Sequence, residues 1–157
     1  MRLLRVEKGR RVFQMRAKEM ALFLALLERY PALPSVCHPP GEAARGRNRI
    51  DQALLEEALA EQRRENRQVL EAFRTNGKNV RRSAQGWELA VSDPEIEWLL
   101  QVLNDIRVGS WMKLGCRDRD PGVAELNAAT APHAWAMALT SYLQTVLLEA
   151  LREEPPP

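Results

Sequence analysis

The sequence predicts a mainly α-helical fold: a helical bundle of four main helices with two short β-hairpins packed on it. Two observations lead there. Apolar residues recur at spacings of three and four through four stretches, each closed by proline or glycine. Period-two alternation occurs in only two short places, each around a polar turn that carries glycine. A chain of 157 residues, 45% apolar and 28% charged, has the size and balance of one globular domain. It can bury a core without a disulfide or metal. The expectation is a single domain over 1–157, with a loop or linker at 31–49 and a disordered tail at 152–157.

The first hairpin is read from Leu3, Leu4 and Val6, the turn Glu7-Lys8-Gly9-Arg10, and Val12 to Met15. A helix should start near Arg16 and end before Pro31, because the residue ahead of proline disfavours helical dihedrals. Its stripe is Glu19, Phe23, Leu26, Leu27 and Tyr30. Four prolines and two glycines then mark 31–46 as a break. Ile50 to Thr75 is the longest helical pattern, rich in good helix formers, with Leu55, Leu59, Gln62, Asn66, Val69 and Phe73 in line. Two amides in that line make a poor core face.

Asn76-Gly77 suits a helix stop. The second hairpin runs from Asn79 to Val91 around Ala84-Gln85-Gly86. Ser92 with Glu95 three residues on, and Pro94 between, announces a helix to about Leu114. The last helix starts near Thr130 and reaches Leu151.

Charge is uneven. Residues 1–82 carry a net +8 and residues 83–157 a net −6. That asymmetry fits an anionic partner for the first half, attraction between the halves inside one fold, or attraction across a dimer. Two charges stand out on apolar stripes. Arg107 falls among Ile96, Leu99, Leu100, Leu103, Ser110 and Leu114, and Glu19 heads the first helix's stripe. A guanidinium cannot shed its proton, so burial demands a partner. The expectation is a buried or half-buried Glu19–Arg107 ion pair with Tyr142 and Asn104 as further hydrogen-bond partners. Glu149 is held in reserve, and Asp105 points to solvent.

Trp98, with Val102 beside it, lies opposite that stripe. It is an interface candidate toward the long helix or another subunit, the alternative being packing by the hairpin around Trp87. Arg74, Lys78, Arg81 and Arg82, with no acid among 74–82, are candidate nucleic-acid contacts, and Arg45, Arg47 and Arg49 form a second basic cluster.

Enzyme chemistry finds little support. Cys37, His38, Cys116 and His133 are the soft-ligand set, but their spacing suits no zinc site. No serine sits in a nucleophile elbow and the glycines at 41, 46, 77, 86 and 115 are isolated, so no metal, cofactor or catalytic residue is assigned. The longest apolar run, Met20 to Leu27, is far short of the ~20 residues that span a bilayer. The start lacks a secretory pattern and two cysteines make no disulfide scaffold, which points to the cytoplasm.

The segment from Trp98 to Arg107, running on to Lys113-Leu114-Gly115, resembles the signature of an uncharacterised bacterial family, domain of unknown function two-thousand-seventeen, known chiefly from actinobacteria. The stretch Trp135 to Leu151, with Tyr142-Leu143-Gln144, is similar to that family's terminal helix, and Glu19 ahead of Leu22-Phe23 and Leu26 fits its first helix. The long helix after Ile50 departs from the pattern. The family carries no established activity. Its members are often encoded beside the Clp protease adaptor and sulfur-carrier genes, which implies a housekeeping link to proteolysis or sulfur metabolism. The reading as a whole is a protein acting by protein–protein interaction, regulatory or adaptor-like, and homodimeric. Its alternatives are nucleic-acid binding through 74–82 and an enzyme with a site around Arg107.

Overall fold

The computed structural model describes residues 1–33, 49–75, 77–115 and 126–153, the side chains of 49–52 excepted. Cys37, His38, Arg45, Arg47, Cys116 and the final prolines lie outside the described residues. In chain order the elements are strands β1 (Arg2–Glu7) and β2 (Arg10–Met15), helix α1 (Ala17–Leu27), helix α2 (Arg49–Thr75), strands β3 (Val80–Ser83) and β4 (Gly86–Ser92), and helices α3 (Asp93–Lys113) and α4 (Ala131–Arg152). Four helices and two hairpins stand where the pattern predicts them.

The hairpins do not sit separately on a bundle. β2 pairs with β4, so the two fuse into one antiparallel sheet in the order β1-β2-β4-β3. A lone two-stranded ribbon is marginal in water and leaves edge groups unpaired, whereas four strands share one buried face. In register, Phe13 opposes Leu89, Met15 opposes Trp87 and Arg11 opposes Val91. The period-two rule puts these pairs on one side, where Phe13, Met15, Leu89 and Val91 are buried. α1, α3 and α4 cover that side with Phe23, Leu26, Leu27, Ile96, Leu99, Leu103, Ile106, Leu143 and Leu147.

Both predicted helix starts with acids at the third position are capped as chemistry requires. Glu19 reaches back to the Arg16 amide at 2.6 Å, and Glu95 takes the Ser92 amide at 2.7 Å and its hydroxyl at 3.0 Å. Each accepts an N–H that the first turn leaves without a helical partner.

The inward face of α3 differs from the expected one. Val102, Ile106 and Gly109 complete it, and all three are buried. On a ~100° projection that moves its centre away from Arg107, toward Val102 and Ile106. Arg107 ends on the exposed flank, and Asp105 turns inward instead. Asp105 accepts the amides of Ala32 (2.7 Å) and Leu33 (3.2 Å), where the chain leaves α1.

Candidate functional site

The expected Glu19–Arg107 pair does not form. Arg107 is exposed and donates to Asn104, its neighbour one turn back, at 3.1 Å. Glu19 instead binds the Met1 ammonium at 2.9 Å. Tyr142 belongs to that same cluster: its hydroxyl accepts from the Met1 nitrogen at 2.8 Å and donates to the Met1 carbonyl at 3.0 Å. The Arg16 amide first, and then the Met1 ammonium, hold the Glu19 carboxyl below the usual carboxylate range. Glu149, the reserve partner, is exposed. The cation that Glu19 meets is a backbone ammonium, which no side-chain periodicity reports.

Trp98 is explained by the long helix. Its ring is half-buried against Phe73, centroids 5.7 Å apart and planes at 48°, and its indole N–H donates to Asn66 at 3.1 Å. Asn66 in turn donates to the Tyr30 hydroxyl at 3.2 Å. The amide that looked wrong on the α2 stripe is therefore the joint that fixes α2 to α1 and α3. Val102 is fully buried and offers no surface. Leu70 and Phe73 complete the joint in the core, and Arg74 is tied to Glu28 at 2.6 Å.

The other end of α2 is built differently. Leu54, Leu55 and Leu59 are exposed at 59%, 54% and 39%, and Val69 at 46%, while among the described residues Leu70 and Phe73 are the α2 side chains in the core. Two buried anchors supply about 2 kcal/mol each, far too little to order 27 residues by themselves. The helix owes its regularity to its own hydrogen bonds and to an Ala-, Leu-, Glu- and Arg-rich composition well beyond the ~15 residues at which helices become self-supporting. It is a semi-independent rod with leucines in water.

The basic segment after α2 is largely spoken for. Arg81 donates twice to Glu88, at 2.6 and 2.9 Å, and Arg5 approaches the same carboxylate at 3.1 Å from the far strand. The Arg5 guanidinium, followed by that of Arg81, holds the Glu88 carboxyl below its usual range. With Arg74 on Glu28, only Lys78 and Arg82 of the four predicted nucleic-acid contacts remain exposed without an ion-pair partner among the described residues.

Sequence reasoning missed Arg11, which is 5% exposed. Its Nε donates to the Ala150 carbonyl at 2.6 Å, Nη2 reaches the Glu153 carbonyl at 3.2 Å, and Nη1 meets Asp93. The signal was available: Arg11, Phe13 and Met15 share one parity on β2, the parity of the core.

Among the described residues no three His, Cys, Asp or Glu side chains converge to hold a metal ion, and no helix is long and apolar enough to cross a membrane. Arg107, the residue named for an enzyme site, lies in solvent. No family model, curated protein or solved structure matches the chain.

Proposed function

We propose that this protein acts by protein–protein contact, that α2 is the element presented, and that a second copy of the chain is its first partner. The observation that carries the reading is the exposure of Leu54, Leu55 and Leu59 on a helix fixed to the body through Asn66, Leu70 and Phe73. Three half-exposed leucines offer about 3 kcal/mol per copy when covered. Set against an association cost of at least ~4 kcal/mol, that supports a weak, reversible contact rather than an obligate dimer. Such a contact suits a regulatory or adaptor role.

Nucleic-acid binding is the weaker reading, because Arg74 and Arg81 already face carboxylates. Sedimentation velocity over a micromolar to near-millimolar series tests the proposal. The expected result is concentration-dependent association that Leu54→Ser/Leu55→Ser/Leu59→Ser abolishes while helicity by circular dichroism is retained. A wild-type chain that stays monomeric throughout, yet shifts with mixed RNA or DNA at low salt, would replace this reading with the nucleic-acid one.

A further inference from the structure

The residues that follow α1, 28–33, are tied in turn to the other three helices. Glu28 accepts from Arg74 of α2 at 2.6 Å, and the Tyr30 hydroxyl accepts from Asn66 of α2 at 3.2 Å. The amides of Ala32 and Leu33 donate to Asp105 of α3 at 2.7 and 3.2 Å. Between these ties, Arg29 Nη2 lies 3.0 Å from Nδ1 of His133, in the first turn of α4. Among the described residues that is the one hydrogen bond from this segment to α4.

The tie to α4 differs from the rest in its chemistry. A guanidinium has only donors, so Nδ1 is the acceptor and the neutral ring carries its proton on Nε2. A proton added to Nδ1 would take the same lone pair, turning an acceptor opposite a donor into two donors and two cations face to face. Histidine is the side chain whose charge ordinarily changes between about pH 5 and 8. Nothing beside this ring favours the charged form. Arg29 faces it from the end of α1, the charge of Lys113 at the end of α3 also opposes protonation, and its own stretch of α4, 131–137, has no other titratable side chain. The carboxylates that hold the segment, Glu28 and Asp105, are engaged by Arg74 and by backbone amides.

We propose that the Arg29–His133 contact is a proton-sensitive latch: a proton on Nδ1 frees segment 28–33 from α4 while Glu28, Tyr30 and Asp105 still hold it to α2 and α3. Acidification then loosens one side of the support beneath α2 without opening the core. Burial first, then the charges of Arg29 and Lys113, hold the imidazole below the usual histidine range. The fold thus prefers the neutral ring, so the latch contributes in full above 6.5 and is lost as pH falls through the folded value. It operates whether or not α2 meets a second copy.

NMR on the intact wild-type chain tests the latch. Long-range nitrogen–proton correlation should show the neutral His133 ring with its proton on Nε2, titrating with a midpoint below 6.5. The Arg29 guanidinium resonances should move with that same midpoint. Arg29→Met should raise the midpoint by about one unit, whereas Arg82→Met leaves it in place. Amide protection at Tyr30, Ala32 and Leu33, corrected for intrinsic exchange, should fall about tenfold from pH 7 to pH 5 in wild type. His133→Gln retains an acceptor that cannot titrate, and its protection should stay constant over that range. A wild-type ring that carries its proton on Nδ1, titrates at or above 6.5, or leaves the Arg29 resonances unmoved overturns the latch without any variant having to fold.

Discussion

Glu95 gathers a strand, a helix start and a turn onto one carboxylate. Arg10 and Asn79 each donate to it at 2.9 Å, beside the amide and hydroxyl of Ser92. Burial alone would push the carboxyl up, but the Ser92 amide, Asn79, the Ser92 hydroxyl and Arg10 together bring it below its ordinary 4.5. A folded-state value lower than the unfolded one gives stability that is present above 4.5 and lost as pH falls through the folded value. Glu95→Gln should therefore cost about 1–2 kcal/mol at neutral pH, discounted for partial exposure. Thermal melts should show the gap between wild type and variant narrowing as pH is lowered below 4.5. A gap that does not change on acidification would mean that the carboxylate's charge is not what matters. At this scale chemistry was half legible: the Ser92–Glu95 spacing announced the cap, while Asn79 and Arg10 reached it only through the sheet.

Between elements, close approach decides more than pattern. Gly109 lies where α3 passes the segment after α1, and a Cβ there would stand 2.5–2.7 Å from the carbonyl carbon, oxygen and Cβ of Ala32. Helix propensity alone favours Gly109→Ala by about 1 kcal/mol. The clash is with backbone, so the variant should instead lose about 1–3 kcal/mol, measured by its urea midpoint. A stabilised variant would show that the Ala32 segment yields. The same α3 carries Trp98, whose indole needs an acceptor when it is half-buried. That acceptor is Asn66, 32 residues away on α2. From α2 alone, Asn66 looked like a defect in an apolar line; with Trp98 and Tyr30 beside it, it is the specific part of the joint. Nothing local to either helix shows this, because a hydrogen bond between two helices depends on how they cross.

Across the whole molecule, the charge asymmetry resolves inward. Arg5 and Arg81 meet Glu88, Arg10 meets Glu95 and Arg11 meets Asp93, so basic side chains of the first half face acids of the second within one fold. Arg11 has the widest reach, joining the sheet to the start of α3 and the last carbonyls of α4. Arg11→Met should cost about 3 kcal/mol, since it strands buried carbonyls and leaves Asp93 without its cation. Hydrogen exchange should show the loss at the end of α4 first. Arg107→Met in the same assay should stay within about 0.5 kcal/mol, as expected for a surface side chain. Equal losses for the two arginines would contradict the burial that separates them.

What the sequence by itself determined is the inventory: four helices, two hairpins, and their turns and caps. Those follow from interactions within a few residues along the chain, such as Glu95 with Ser92 or the alternation through Phe13 and Met15. Only the tertiary structure decided that the hairpins fuse through β2 and β4, that Arg11 rather than Arg107 is the buried guanidinium, and that Asn66 ties α2 to Trp98 and Tyr30. The reason is geometric. A stripe on a helix covers a broad arc, so moving its centre toward Val102 and Ile106 leaves Arg107 on an outer flank, while Asp105 on the other flank is held by the Ala32 and Leu33 amides of the segment that crosses α3 at Gly109. A pairing between strands more than seventy residues apart leaves no periodicity in either one.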